Sequence, residues 1–284
     1  MKRIVLFFAI FSLFISCSDS NSTETEETVK LDSLSVDTLA SKEVDEEKEF
    51  KLFMIIANVP SPSHEITELG KQNLVFKSEL PNDCTNESKY SESFKTAVNY
   101  GVYIADFSYV AAFKNNKLLL NYFATCRKMA EKATVLKTFE EVVKSDFIQK
   151  NAGNPDALEK VLDTLYVNTE KFLETDHHLD IAAKILLGSW IEAQYIFLAH
   201  LKEMDNNDKT KPLFSKLWEN KIHLNHINEL LTEYKDHSEL NMLATSLVAY
   251  EKNYEGIASE KDFSKGKVEK MFTELSAIRT EIIK

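Results

Sequence analysis

Polar side chains suited to binding a ligand lie within two long apolar stretches of the sequence, at residues 91–114 and 178–203. Both stretches have helical periodicity and are apolar almost all round, so each is predicted to form a central helix of a bundle. A buried amide or carboxylate needs a hydrogen-bonding partner. These polar residues therefore either line a ligand pocket or form a solvated or internally satisfied strip. The five candidate pocket residues are Asn99, Tyr103, Asp106, Trp190 and Glu192.

The two predicted central helices share a short pattern around a glycine. Segments 101–106 and 188–193 each carry a glycine, an aromatic residue two positions later, isoleucine three positions later, and an acid four or five positions later. The recurrence indicates either a faint internal duplication or the residue types that close helix packing selects. In the first helix, a stripe of small residues would let a neighbouring helix approach closely. Its members are Ala97, Gly101, Ala105, Ser108 and Ala112.

The first of these segments distantly resembles the Gly-x-His-x-x-Glu pattern of imelysin-like helical proteins, a lipoprotein-rich family associated with iron or haem handling. Tyr103 stands at the histidine position and Asp106 at the glutamate position. The change removes imidazole, the best metal ligand of the pattern. The resemblance therefore implies metal or haem binding only as an alternative function. The main prediction includes no metal site and no cofactor.

Other candidates for chemistry have simpler structural explanations. Segment 64–68, His-Glu-Ile-Thr-Glu, approaches the zinc-protease spacing but has Glu68 at the second ligand position, so a helix start is favoured. His177 and His178 are similarly interpreted as the start of a helix, and His223 as a core residue. No nucleophile motif, phosphate-binding loop or Cys-x-x-Cys pair occurs in the sequence. The sequence thus predicts a protein that is not an enzyme.

The amino terminus has the pattern of an export signal. Two cations precede a twelve-residue block, 4–15, with one polar residue, and this block is too short to cross a bilayer, which needs about 20 apolar residues. Segment 13–17, Leu-Phe-Ile-Ser-Cys, resembles the lipobox of bacterial lipoproteins, and serine before the cysteine is frequent in the Bacteroidota. The resemblance implies a signal peptide at 1–16, lipidation of Cys17, and an outer-membrane anchor facing the periplasm or the cell surface. The alternative is an ordinary signal peptide with an incidental cysteine.

An acidic tether is predicted to follow, over residues 17–49. Residues 18–49 hold eleven acidic residues, three lysines and no aromatic residue, too little apolar surface to offset chain entropy. Ser33 and Thr38 each lie in an Asp-(Ser/Thr)-Leu triplet that resembles the O-glycosylation acceptor of Bacteroidota proteins. The remaining body carries a formal charge of only −5 within the total of −11, so composition does not favour nucleic-acid binding.

The body, residues 50–284, is predicted to be an all-α bundle of about eight helices in one domain, because glycine and proline are scarce and no strand-length alternation persists. Thr138 and Glu141 predict a capping box for a helix over 139–150. Cys84 and Cys126 would pair in an oxidising envelope, or Cys126 is a free buried thiol. Together these features predict a membrane-anchored lipoprotein that binds or scaffolds an envelope protein partner or a small ligand.

Overall fold

The computed structural model describes residue 47 and residues 49–175 and 178–284. The predicted signal peptide, the lipidated Cys17 and the glycosylation candidates Ser33 and Thr38 lie outside the described residues, as does His177. The described residues cluster as one compact unit.

Within the described residues all regular secondary structure is α-helix or 3₁₀-helix, with no β-strand, which confirms the prediction of an all-α bundle. Helix α1 spans residues 49–57. The other helices are α2 (Pro62–Gly70), α3 (Ser93–Ala112), α4 (Asn116–Lys132), α5 (Leu136–Val142), α6 (Ser145–Lys150), α7 (Pro155–Thr175), α8 (Leu179–Leu201), α9 (Lys211–Glu233), α10 (Ser238–Glu251) and α11 (Lys265–Ile283). Short 3₁₀ turns lie at Cys84–Lys89, Lys252–Tyr254 and Glu260–Asp262.

The predicted capping box at Thr138 is wrong. Helix α5 begins at Leu136 and ends at Val142, whereas the predicted helix covers residues 139–150. Thr134 has a φ of 64°, and Val135 donates its N–H to the Ala130 carbonyl, which closes α4 with a Schellman turn. This turn places the start of α5 at Leu136, so Thr138 lies inside the helix. Val143 and Lys144 then adopt extended backbone and separate α5 from α6.

Helices α3 and α8 form the centre of the fold and cross with their backbones in contact. A Cβ atom added to Gly101 would lie 2.1 Å from the Ile185 carbonyl oxygen, and one added to Gly188 would lie 1.8 Å from the Val98 carbonyl oxygen. Any side chain at either position would force the helices apart. The small-residue stripe predicted for the first helix therefore does allow close approach, and the second glycine lies at the same crossing.

The remaining helices cover this central pair. Helix α3 contacts α2, α4, α7 and α11, while α8 contacts α2, α7, α9 and α11. All but Ser93 and Lys95 of the 20 residues of α3 are buried. Among the described residues, α8 alone is long and apolar enough to cross a membrane, but 89% of its apolar window is buried inside this bundle, as in the core helix of a globular domain.

Candidate functional site

Two of the five candidate pocket residues meet at the centre of the bundle, where they contact an arginine. Arg279 of α11 donates from Nε to Glu192 Oε2 at 2.5 Å and from Nη2 to Glu192 Oε1 at 2.6 Å, a bidentate pair. The same Nη2 donates to the Leu80 carbonyl oxygen at 2.9 Å. The Arg279 guanidinium also lies 4.2 Å from the centre of the Tyr195 ring, which covers it.

Asp106 of α3 completes this cluster, which we call the acid–arginine cluster (Asp106, Glu192, Arg279). Its Oδ2 accepts a hydrogen bond from the backbone N–H of Asn82 at 3.0 Å, while its buried Oδ1 has no hydrogen-bond partner. Burial and the neighbouring Glu192 carboxylate raise the pKa of Asp106 well above its usual range, and Arg279 only partly opposes this shift.

Sequence reasoning missed Arg279, although a signal for it exists. The apolar stripe of α11 runs through Met271, Leu275, Ile278 and Ile282, and Arg279 lies on the same side of the helix, four residues after Leu275. A cation on an apolar helix face is unusual unless it is paired with buried acids. Its 8% exposure agrees with this rule.

Tyr103, a third candidate pocket residue, holds the irregular segment that precedes α3. Its hydroxyl donates to the Asp83 carbonyl oxygen at 2.8 Å, and the Tyr122 hydroxyl of α4 donates to the Asn82 carbonyl oxygen at 3.0 Å. The Asn82 amide in turn donates to the Tyr90 hydroxyl at 3.0 Å. These bonds satisfy backbone groups that have no partner within a helix or sheet. Tyr103 is thus engaged with the protein itself.

Asn99 lies at the carboxyl end of α11 and satisfies its last carbonyl groups. Its side-chain amide donates to the Ile282 carbonyl oxygen at 2.8 Å, and the Tyr90 hydroxyl donates to the Ile283 carbonyl oxygen at 2.9 Å. The Lys95 ammonium donates to the Glu281 carbonyl oxygen at 2.7 Å, where a cation also favours the helix dipole. These side chains fix the end of α11 on the surface of α3.

Trp190 is the one candidate that the structure places apart from the others. Its ring packs edge-on against Tyr250 of α10, with 6.5 Å between ring centroids, and its indole N–H has no hydrogen-bond partner. The five residues therefore do not converge on one pocket. Four of them make contacts between α3, α8, α11 and segment 80–90, although Asn99 Oδ1 and Asp106 Oδ1 are buried without a hydrogen-bond partner.

The two cysteines of the described body, Cys84 and Cys126, are free thiols in this structure, and the disulfide between them stays a prediction. The Cys126 thiol is buried and donates to the Tyr103 carbonyl oxygen at 3.1 Å. Burial raises the pKa of both thiols, which keeps them protonated and weakly nucleophilic. In this structure Cys126 is thus a buried thiol bonded to the backbone.

A second buried polar group, the Glu65 cluster (Glu65, Gln194, Asn220), joins α2, α8 and α9. Gln194 Nε2 donates to Glu65 Oε2 at 2.6 Å, and Asn220 Nδ2 donates to Gln194 Oε1 at 3.0 Å. Burial raises the pKa of Glu65 to about 7, although both amides stabilise the ionised form. Glu65 does lie in the first turn of α2, as the helix-start interpretation predicted, but its side chain points into the core.

No family model, curated protein or solved structure matches this chain. Its function must therefore be argued from the geometry of its own residues. Among the described residues, no group of three or more His, Cys, Asp or Glu side chains is placed to hold a metal ion. The imelysin-like alternative, metal or haem binding, stays a prediction.

An open cleft of about 240 Å³ lies on the surface between the start of α3, α10 and α11. Its apolar lining consists of Phe94, Met242, Leu243, Ile278 and Ile282. Met242 at the cleft is 69% exposed. Glu92 and Glu239 also line the cleft and are exposed. The cleft is concave and mainly apolar, as ligand and peptide sites in proteins commonly are.

Proposed function

We propose that this protein is a lipid-anchored lipoprotein of the bacterial envelope that acts as a non-enzymatic binding or scaffolding module. The lipid anchor is inferred from the sequence Leu13-Phe14-Ile15-Ser16-Cys17. This sequence lies at the end of a short apolar block and directly before a polar segment. Acyl chains on Cys17 contribute about 0.8 kcal/mol per buried CH₂ group, so two or three chains hold a globular domain at a membrane.

The helical body supports the binding half of this proposal. The polar residues at its centre bond to one another and to the backbone, so they stabilise the fold and are not aimed at a substrate. The cleft between α3, α10 and α11 remains open, with an exposed apolar side chain at Met242. A membrane-tethered domain with an apolar surface cleft suits the capture of a protein partner or a small apolar ligand.

The anchor is tested by metabolic labelling with a fatty acid. Wild-type protein expressed in a bacterium with lipoprotein-processing enzymes should incorporate the label and partition with membranes. Cys17→Ala should lose both the label and membrane partitioning. Cys84→Ala removes another thiol and serves as the matched control, which should be labelled like wild type. Mass spectrometry that finds an unacylated amino end in the wild type would contradict the proposal.

The cleft is tested by site-specific photo-crosslinking in intact cells. A photoreactive residue at Met242 should give a discrete crosslinked product, whereas one at Val75, which is 81% exposed and outside the cleft, should not. Protease treatment of intact cells would then show which side of the outer membrane the body faces. Equal crosslinking from both positions, or none from either, would contradict binding at the cleft.

A further inference from the structure

The acid–arginine cluster contains two carboxyl groups and one cation in the interior of the protein. Asp106 and Glu192 are both 0% exposed, and Arg279 is 8% exposed. Arg279 gives both arms of its bidentate pair to Glu192, while Asp106 receives one neutral backbone N–H from Asn82. If all three groups were ionised, one negative charge would remain buried and unpaired, which proteins avoid by protonation.

No second cation hydrogen-bonds to Asp106 in the described part of the chain. The groups that interact electrostatically with it lie on five elements: Tyr103 and Tyr109 on α3, Tyr90 in the preceding segment, Tyr122 and Cys126 on α4, Glu192 and Tyr195 on α8, and Arg279 on α11. All except Arg279 are acidic or neutral. The surroundings therefore favour a neutral Asp106.

One oxygen of the Asp106 carboxyl has no hydrogen-bond partner, so it is the atom on which a proton is expected. Asp106 Oδ2 already accepts from Asn82, and Oδ1 is buried without a donor. Glu192 is the neighbouring acid whose side chain interacts with the Asp106 carboxyl. Each carboxylate oxygen of Glu192 has a second lone pair, so it can accept from an O–H as well as from Arg279.

We propose that Asp106 and Glu192 share one buried proton at neutral pH, carried on Asp106 Oδ1 and donated to Glu192, so that Arg279 neutralises the pair. This proton links α3, α8, α11 and segment 80–83. Its loss at alkaline pH leaves two carboxylates facing each other across the central helix crossing. The stability of the fold therefore depends on pH through this proton. This dependence involves neither the lipid anchor nor a partner.

The pH dependence has a definite sign. A carboxyl that holds its proton more tightly in the folded than in the unfolded protein stabilises the fold at acidic pH, and this contribution is lost as pH rises. Asp106→Asn keeps an acceptor for Asn82 and supplies an N–H donor to Glu192 without a titratable proton. Between about pH 5 and pH 7, the unfolding constant of the wild type divided by that of D106N should rise about tenfold per pH unit.

The measurement is chemical denaturation of the full chain in a mild detergent, at several pH values. Asp208→Asn, at an exposed turn position, is the control, and its ratio to the wild type should stay flat over the same range. A flat ratio for D106N as well would show that Asp106 is already ionised, and this would overturn the proposal.

A second measurement needs no variant that must fold. With aspartate labelled with ¹³C at its side-chain carboxyl, the wild-type protein at neutral pH should show one resonance at the position of a protonated carboxylic acid. The absence of any such resonance from the folded protein would overturn the proposal regardless of how D106N behaves.

Discussion

Two buried acid clusters lie on opposite sides of α8, and they stabilise their carboxyl groups in different ways. Glu192 faces α3 and α11, where Arg279 binds both of its oxygens. Gln194, two residues later, faces α2 and α9, where Glu65 has only amide donors. Residues two apart on a helix point to nearly opposite faces. One helix therefore organises one cluster that contains a cation and one that does not.

The two clusters differ in the group that offsets the free-energy cost of burying a carboxylate. In the acid–arginine cluster, a full positive charge compensates Glu192 over the whole physiological pH range, since arginine stays protonated. In the Glu65 cluster, amide dipoles compensate only part of the cost, and the pKa of Glu65 rises to about 7. We therefore expect Glu192 to respond most to loss of Arg279, and Glu65 to respond most to pH.

The largest effect is expected for removal of the cation. Arg279→Met leaves the Glu192 carboxylate buried without a cation, and should lower the free energy of unfolding by about 3–5 kcal/mol. The double variant Arg279→Met, Glu192→Gln removes the uncompensated charge and should recover part of the loss. Urea denaturation followed by circular dichroism measures both. A double variant as unstable as the sum of the single variants would show that the two residues are not coupled.

The next effect belongs to the Glu65 cluster and depends on pH. The pKa of Glu65 is about 7 in the folded protein against an ordinary 4.5, so its contribution to stability is present at acidic pH and lost as pH rises through 7. The stability of Glu65→Gln relative to the wild type should therefore increase by about 3 kcal/mol between about pH 4 and pH 8. Glu68→Gln controls for the loss of one charge from α2. A difference that does not change with pH would refute the prediction.

A third variant is expected to disturb one cluster and leave the other intact. Gly188→Ala places a methyl group against the Val98 backbone, which cannot move aside, so α3 must shift away from α8. We expect a loss of about 1–3 kcal/mol or more, with the acid–arginine cluster disturbed and the Glu65 cluster retained. Gly266→Ala, at an unobstructed site in α11, is the matched control and should stabilise the protein by about 0.5–1 kcal/mol. Thermal unfolding of the two variants, compared at one pH, checks both signs.

The smallest effect is expected at the start of α11, the helix that carries Arg279. The Ser264 hydroxyl caps this helix by accepting from the Lys267 N–H at 3.3 Å. Ser264→Ala should cost about 1 kcal/mol. Ser276→Ala, inside the same helix, should be neutral or slightly stabilising because alanine is the better helix former. Equal destabilisation by the two variants, measured by chemical denaturation, would argue against the cap.

The sequence predicted the central features that depend on local pattern. Gly101 and Gly188 stood out as small residues in apolar helices, and Asp106 and Glu192 as acids within them, because helical periodicity alone makes them visible. Glycine within a helix and an acid within an apolar helix both break the local sequence pattern, and such residues often mark a special contact.

What the sequence could not show depends on contacts between distant segments. Periodicity does not reveal which cation among 34 basic residues meets Glu192, so Arg279 was missed. Asn99 was assigned to a pocket, but it caps a helix whose end lies 183 residues further along the chain. The capping box at Thr138 failed because the left-handed turn at Thr134 overrode a local signal.

The position of Arg279 in the chain has a consequence for how the molecule assembles. It lies 87 residues after Glu192, so both acids leave the ribosome well before their cation does. Synthesis proceeds at about 5–20 residues per second, which leaves an interval of seconds in which the central crossing has no arginine. During that time water or bound protons must compensate the carboxyl groups, and a dry core cannot form. We expect nascent chains that stop before α11 to remain protease-sensitive, and completion of the last helix to trigger compaction.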